Sequence, residues 1–118
     1  MSLPINSKTY TADSFATNQV GYNGPGKTGS TKDDVVLRRT APKATAAFSG
    51  MSRTSAKLTR TLALTNALTP VGEAIIDIQV AVPVGYTAAD VDTLLNDMGA
   101  FLASASFKTH VKTPQVAF

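Results

Sequence analysis

The chain contains no cysteine and a single histidine, so a disulfide framework, a thiolate metal site and a site built from several imidazoles are all excluded. It also lacks any run approaching the roughly 18 apolar residues that a membrane span requires. The N-terminal stretch Met1-Ser2-Leu3-Pro4-Ile5-Asn6 has no apolar core of the kind a secretory signal carries. A soluble chain with no membrane, metal, cofactor or small-molecule substrate is the expectation.

What is present suffices for one compact domain: 118 residues, of which 43% are hydrophobic. At this size folding buries only about two-thirds of the unfolded surface. A single-layer sheet with one helix would therefore gain much from a partner, and oligomerisation is expected. The formal net charge of +3 is modest, but its placement is uneven. Lys27, Lys32, Arg38, Arg39, Lys43, Arg53, Lys57 and Arg60 are opposed within their own segment only by Asp33 and Asp34, a local excess of six that leaves a deficit of three elsewhere. A localised basic surface attracts polyanions, because each phosphate neutralised releases condensed counterions. A merely solvated basic face is the plainer alternative.

Periodicity organises the rest. Residues 8–22 are polar, with scattered Tyr10, Phe15, Val20 and Tyr22, and predict a short exposed hairpin. Residues 23–32 are saturated with turn formers and predict a loop. Residues 34–40 are rich in β-branched side chains and halted by Pro42, as a strand would be. After a turn near Ser49-Gly50, residues 52–65 alternate, with Ala56, Leu58, Leu62 and Leu64 on one parity and Arg53, Ser55, Lys57, Thr59 and Thr61 on the other. Arg60 falls on the apolar parity, which calls for a bulge or for an arginine reaching out along its aliphatic stem. After a turn over 66–70, residues 72–84 repeat the pattern. Ala74, Ile76, Ile78, Val80 and Val82 share one face, and Glu73, Ile75, Asp77, Gln79 and Ala81 the other. Two such strands predict an antiparallel sheet covered on one side only.

The cover follows directly. Thr87-Ala88-Ala89-Asp90 resembles a capping box, and Asp90 and Asp92 place negative charge in a first helical turn. Val91, Leu94, Leu95, Met98, Phe101, Leu102 and Ala105 recur at three- and four-residue spacing, so an amphipathic helix is predicted over about 88–104. Residues 106–118 are compatible with a second helix or an extended arm, and Pro114 breaks any helical continuation. The fold class is α+β: an N-terminal β-hairpin and antiparallel sheet over about 8–85, then a helical region and tail over about 87–118, in a single domain.

Few residues suggest catalysis. Gly21-Tyr22-Asn23-Gly24-Pro25-Gly26-Lys27-Thr28 formally matches the phosphate-cradling loop of nucleotide hydrolases. That mechanism needs a buried strand before the first glycine and a helix after the threonine. Here Thr17-Asn18-Gln19-Val20 is mostly polar and residues 29–34 lack helical periodicity, so an accidental match is the better reading. His110 has no neighbouring Ser-Asp set, and Asp90 and Asp92 are better explained as helix-terminal charges than as paired catalytic carboxylates. No enzymatic activity is expected. The remaining candidate is the polar sheet face, where Arg38 or Arg39, Arg53, Lys57, Thr59, Asp77 and Gln79 would combine phosphate-binding cations with side chains able to read base edges. Aromatic stacking platforms are absent from the two long strands, unlike in generic single-strand binders.

The ordered set Val35-Val36-Leu37-Arg38-Arg39-Thr40-Ala41-Pro42-Lys43, Phe48-Ser49-Gly50-Met51-Ser52-Arg53, Lys57-Leu58-Thr59-Arg60-Thr61 and Ile76-Asp77-Ile78-Gln79-Val80-Ala81-Val82-Pro83-Val84-Gly85, followed by the helix from Asp90, resembles the coat proteins of levivirus-like single-stranded RNA phages. The resemblance covers about residues 8–105 and is most specific at the Val-Pro-Val end of the last strand. It implies a subunit whose helix packs across its partner's sheet, so that Val91, Leu94, Leu95, Met98, Phe101 and Leu102 would form a homodimer core. Dimers would assemble into an icosahedral shell, and the joined sheets would face genomic RNA or a translation-repressing hairpin. Location in the virion follows, with the host bacterial cytoplasm as the place of assembly. On this resemblance Asp77 and Gln79 match RNA-facing positions of the last strand, with Lys57 and Thr59 beside them. Ile75 stands where well-studied members place an aromatic that stacks on a base, and Asp77 where they carry an amide. Competing readings are a stand-alone dimeric RNA-binding or repressor module and, more distantly, a small nucleotide-binding protein.

Overall fold

The computed structural model describes residues 2–43, 45, 50–65 and 68–117. Six strands precede two helices: β1 (Ser2–Ile5), β2 (Lys8–Ala16), β3 (Gln19–Asn23), β4 (Asp33–Thr40), β5 (Met51–Ala63), β6 (Val71–Pro83), α1 (Ala88–Leu102) and α2 (Ala105–Lys112). The strands form one antiparallel sheet in sequence order, so each strand pairs with its chain neighbours and no crossover is needed. The chain divides into two compact units, the sheet through Val84 and the helices from Gly85.

Turn chemistry explains the connections. Asn6 and Ser7, at φ 50° and 64°, join β1 to β2 as a two-residue loop with both central residues left-handed, the geometry whose twist suits a hairpin. Strand β1 has no counterpart in the sequence pattern, because four residues containing a proline give no periodic signal. As an edge strand it tolerates Pro4. Gly50 lies at φ +96°, where a Cβ would press on the Lys43 backbone. The expected turn at Ser49-Gly50 is thus described at Gly50 only, since Ser49 lies outside the described residues, as do 66 and 67 of the expected 66–70 turn. That second turn is closed by the Leu64 N–H donating to the Pro70 carbonyl at 2.8 Å.

The core of the sheet unit corrects the expectation of an exposed N-terminal hairpin. Tyr10, Tyr22 and Val35 are its buried centre, with Leu3, Ile5, Ala12, Val20, Leu37 and Leu58 packed around them. Tyr10 is 0% exposed. These residues share one face because a bulge at Asp13, between the Ala12 and Ser14 pairings, resets the register of β2 against β3. The periodic signal is weak here, since the two tyrosines stand among threonine, serine and asparagine.

Arg60 is also resolved, and without a bulge, because β5 pairs in unbroken register with both neighbours through it. Its cross-strand partner is Asp33. The Arg60 guanidinium donates to Asp33 Oδ1 at 3.3 Å and to the Tyr10 hydroxyl at 2.7 Å, and that hydroxyl donates to Asp33 Oδ1 at 2.8 Å. An arginine on an apolar parity is tolerated because a buried carboxylate directly opposite receives it. Burial works against ionisation of Asp33, but hydrogen bonds from Tyr10, the Gly26 N–H and Arg60, with the guanidinium charge, outweigh it and hold its pKa below the ordinary carboxylate value. Burial, reinforced by the bond to Asp33, raises the Tyr10 phenol above its usual value.

In the helical unit, α1 begins at Ala88 as expected and ends at Leu102, two residues short of the expected 104, and of the two conformations open for the C-terminal segment residues 105–112 adopt the helix. The capping box is not formed. Thr87 makes no side-chain cap bond to the backbone, and its hydroxyl donates instead to Asp90 Oδ2 at 2.8 Å, because Asp is one methylene too short for the Glu role. Ser104, by contrast, caps α2 by accepting from the Phe107 N–H at 3.3 Å.

Candidate nucleic-acid interface

The strand registers decide which side chains share a surface. Across β4, β5 and β6 the directly opposed rows are Arg38–Ser55–Gln79, Thr40–Arg53–Ala81, Val36–Lys57–Asp77 and Asp34–Thr59–Ile75. Opposed residues of an antiparallel pair point to the same side, so Arg38, Arg53, Lys57, Thr59, Asp77 and Gln79 all lie on one face. Arg39 opposes Thr54 and so lies on the other face, settling which of the two arginines joins the group. Arg38, Arg53, Asp77 and Gln79 are exposed, while Lys57 and Thr59 are half-buried.

This face is electrostatically divided. Toward one end Lys27 pairs with Asp34 at 3.2 Å and Lys32 with Glu73 at 3.1 Å, and Asp77 stands opposite Lys57. Toward the other, Arg38 is exposed and is held by Gln19, which accepts from its Nε at 2.8 Å. There Arg38, Thr40, Arg53, Ser55 and Gln79 line a shallow depression of about 390 Å³. Two guanidiniums, two hydroxyls and an amide around one hollow form a donor-rich site suited to phosphodiester oxygens, and the amide adds an acceptor for a base edge. Sequence reasoning passed over Thr40 and Ser55, although Ser55 sits on the polar parity between Arg53 and Lys57.

The loop carrying the nucleotide-hydrolase pattern does not cradle phosphate. The Gly26 N–H donates to Asp33 Oδ2 at 3.1 Å and the Gly24 N–H to the Asp33 carbonyl at 2.7 Å. Lys27 is engaged with Asp34, and Thr28 is hydrogen-bonded to Thr31. No helix follows the threonine, since β4 comes next. The loop wraps the chain's own carboxylate, and a Cβ at Gly24 would collide with the Tyr10 ring and Asp33. Among the described residues no group of three or more His, Asp and Glu is placed to hold a metal, and no helix is long and apolar enough to cross a membrane. His110 Nδ1 lies 2.7 Å from the Gln115 carbonyl, and its ring is tilted against that of Phe107, the centroids 5.9 Å apart.

Two apolar surfaces stand uncovered. On the sheet side opposite the polar face, Leu62, Ile76 and Ile78 are exposed, far from the buried centre at Tyr10. In the helical unit, Leu94, Leu95, Met98 and Phe101 are each about half exposed, and Val91 and Leu102 partly so. Phe101 is steadied by Phe107, their ring centroids 5.2 Å apart.

A six-stranded, sequentially ordered antiparallel sheet followed by two C-terminal helices is the coat-protein fold of levi-like phages. The virus-like particle of Beihai levi-like virus 32 matches it with a TM-score of 0.83 at 16% identity, over 96% of this chain and 91% of that one. The virus-like particle of Wenzhou levi-like virus 1 matches at TM-score 0.63 and 22% identity, over 94% of both chains. The bacteriophage EMS014 coat protein matches at TM-score 0.59 and 19% identity, over 83% and 68%. No protein-family model and no curated protein sequence matches the chain.

Proposed function

We propose that this protein is the capsid subunit of a levi-like RNA phage, a structural rather than catalytic protein that forms homodimers, assembles into an icosahedral shell and lines its interior with the polar sheet face. The observation that carries the reading is the end-to-end match to a subunit of a virus-like particle, 96% of one chain on 91% of the other. Two further features support it. The half-exposed helix stripe Val91, Leu94, Leu95, Met98, Phe101 and Leu102 and the bare aliphatic sheet face need a cover, and a second copy supplies each with the other. Full burial of a Leu or Ile is worth roughly 1.5–3 kcal/mol, and covering several half-exposed ones contributes about half of that each toward offsetting the entropy of association.

RNA binding rests on Arg38, Arg53, Lys57 and Thr59 with Gln79, in which the cations meet phosphate. Asp77 can only accept, from a base amino group or another amide. With Ile75 in place of a stacking ring, packaging by charge is favoured over tight recognition of one hairpin. The test is expression of the chain alone, followed by size-exclusion chromatography read at 260 and 280 nm and by electron microscopy. Megadalton particles rich in nucleic acid support the reading. A clean dimer free of nucleic acid would replace it with a stand-alone module.

A further inference from the structure

Strand β4 carries two consecutive arginines, and both reach the tip of the β2–β3 hairpin, one on each face of the sheet. On the apolar side Arg39 Nε donates to Asn18 Oδ1 at 3.2 Å and its Nη2 to the Thr17 carbonyl at 3.5 Å. On the polar side Arg38 Nε donates to Gln19 Oε1 at 2.8 Å. Resting on the RNA reading above, we infer that Gln19 is a positioning residue for RNA: its amide holds the Arg38 guanidinium at the hollow that a phosphate enters, and so makes the β2–β3 hairpin part of the binding site.

Strand register dictates the contact. Gln19 pairs directly with Arg38, and the Arg39 N–H donates to the Asn18 carbonyl at 3.0 Å. That bond lies one residue beyond the pair, so Gln19 and Arg38 share no backbone bond with each other. They belong to the closer class of antiparallel pair, with Cα atoms about 4.5 Å apart, and their side chains leave the same face side by side. Gln19 follows directly on the two-residue turn Thr17-Asn18, opposite Ala16. The three bonds from Arg39 pin that turn to β4, so Gln19 holds Arg38 from a braced support.

Arginine is the side chain for which such a hold matters. It loses rotamer freedom when it binds, and one N–H fixed in advance reduces that loss and aims the planar fork. The second guanidinium of the hollow differs, since Arg53 stands between Thr40 and Ala81, neither of which has an amide to hold it. The hollow is lined by Arg38, Arg53, Ser55 and Gln79 and not by Gln19, so the effect of Gln19 on RNA passes through Arg38.

The test is a double-mutant cycle on RNA affinity. Filter binding of a single-stranded oligoribonucleotide of mixed sequence to purified, RNA-free protein is measured at one fixed salt concentration for the wild type, Gln19→Met, Arg38→Ala and the double variant. Methionine keeps the length of glutamine and removes the acceptor. Gln19→Met should weaken binding about two- to tenfold when Arg38 is present, the worth of one hydrogen bond, and leave it unchanged in the Arg38→Ala background. A merely structural role would lower affinity equally in both. Gln19→Ala, which also lacks the acceptor, should repeat the pattern and guards against a misfit specific to methionine. Equal losses in both backgrounds, or no loss in either while Arg38→Ala itself weakens binding, would overturn the positioning role and leave the RNA reading standing. Full RNA affinity in Arg38→Ala would overturn the RNA reading of the hollow, and the role of Gln19 with it.

Discussion

Replacing Tyr10 by Phe removes one oxygen from the centre of the sheet unit, and the structure fixes what that oxygen does. It donates to Asp33 Oδ1 at 2.8 Å and accepts from Arg60 at 2.7 Å. Bonds to charged groups are worth about 1.5–3 kcal/mol each, but the two losses are unequal. The Arg60 side chain is 36% exposed and can turn to water, whereas that of Asp33 is 7% exposed and cannot. Asp33 retains the Gly26 N–H and the Arg60 Nε, so the carboxylate is weakened rather than orphaned. The net cost is set at about 2 kcal/mol. With a urea dependence of about 1–3 kcal/mol/M for a small domain, the midpoint falls by about 1 M. The assay is urea unfolding at one fixed protein concentration, since association contributes to stability. Adding Asp33→Asn should cost clearly less in the Tyr10→Phe background than in the wild type, because the two share one bond. A midpoint unchanged by Tyr10→Phe, or strictly additive costs, would refute the argument that this cluster holds the sheet to its loop.

Other outcomes follow from the same geometry. Because the folded pKa of Asp33 lies below its unfolded value, the unfolded chain holds the extra proton between the two. Stability should thus be full above about pH 4 and fall as pH drops through the folded pKa, with Asp33→Asn flattening that acid limb in a pH series of melts. Gly24→Ala should destabilise by about 1–3 kcal/mol in the same urea assay, since its methyl meets the Tyr10 ring and Asp33. Lys57→Glu should lower the 260/280 ratio of purified particles while dimers persist, and an unchanged ratio would remove Lys57 from the RNA face. Met98→Asp, with a charge set in the exposed apolar stripe, should leave monomers on size-exclusion chromatography.

What the sequence determined by itself was whatever is written in local periodicity. Alternation over 52–65 and 72–84 announced β5 and β6 and sorted Lys57, Thr59, Asp77 and Gln79 to one parity, because a strand's two faces need only a period of two. The three- and four-residue spacing from Val91 to Leu102 announced α1 in the same way. Partners distant in sequence were decided only by the tertiary structure. Nothing near Arg60 names Asp33, 27 residues away, or Tyr10, 50 away. The choice of Arg38 over Arg39, and the hollow that joins Arg38 to Gln79, depend on strand register, which hydrogen bonding between strands sets and no single strand contains. The burial of Tyr10 and Tyr22 depends on the bulge at Asp13 and on β1, neither of which carries a pattern of its own. Polar threonines on one face of β2 hide a core on the other, and only packing distinguishes them.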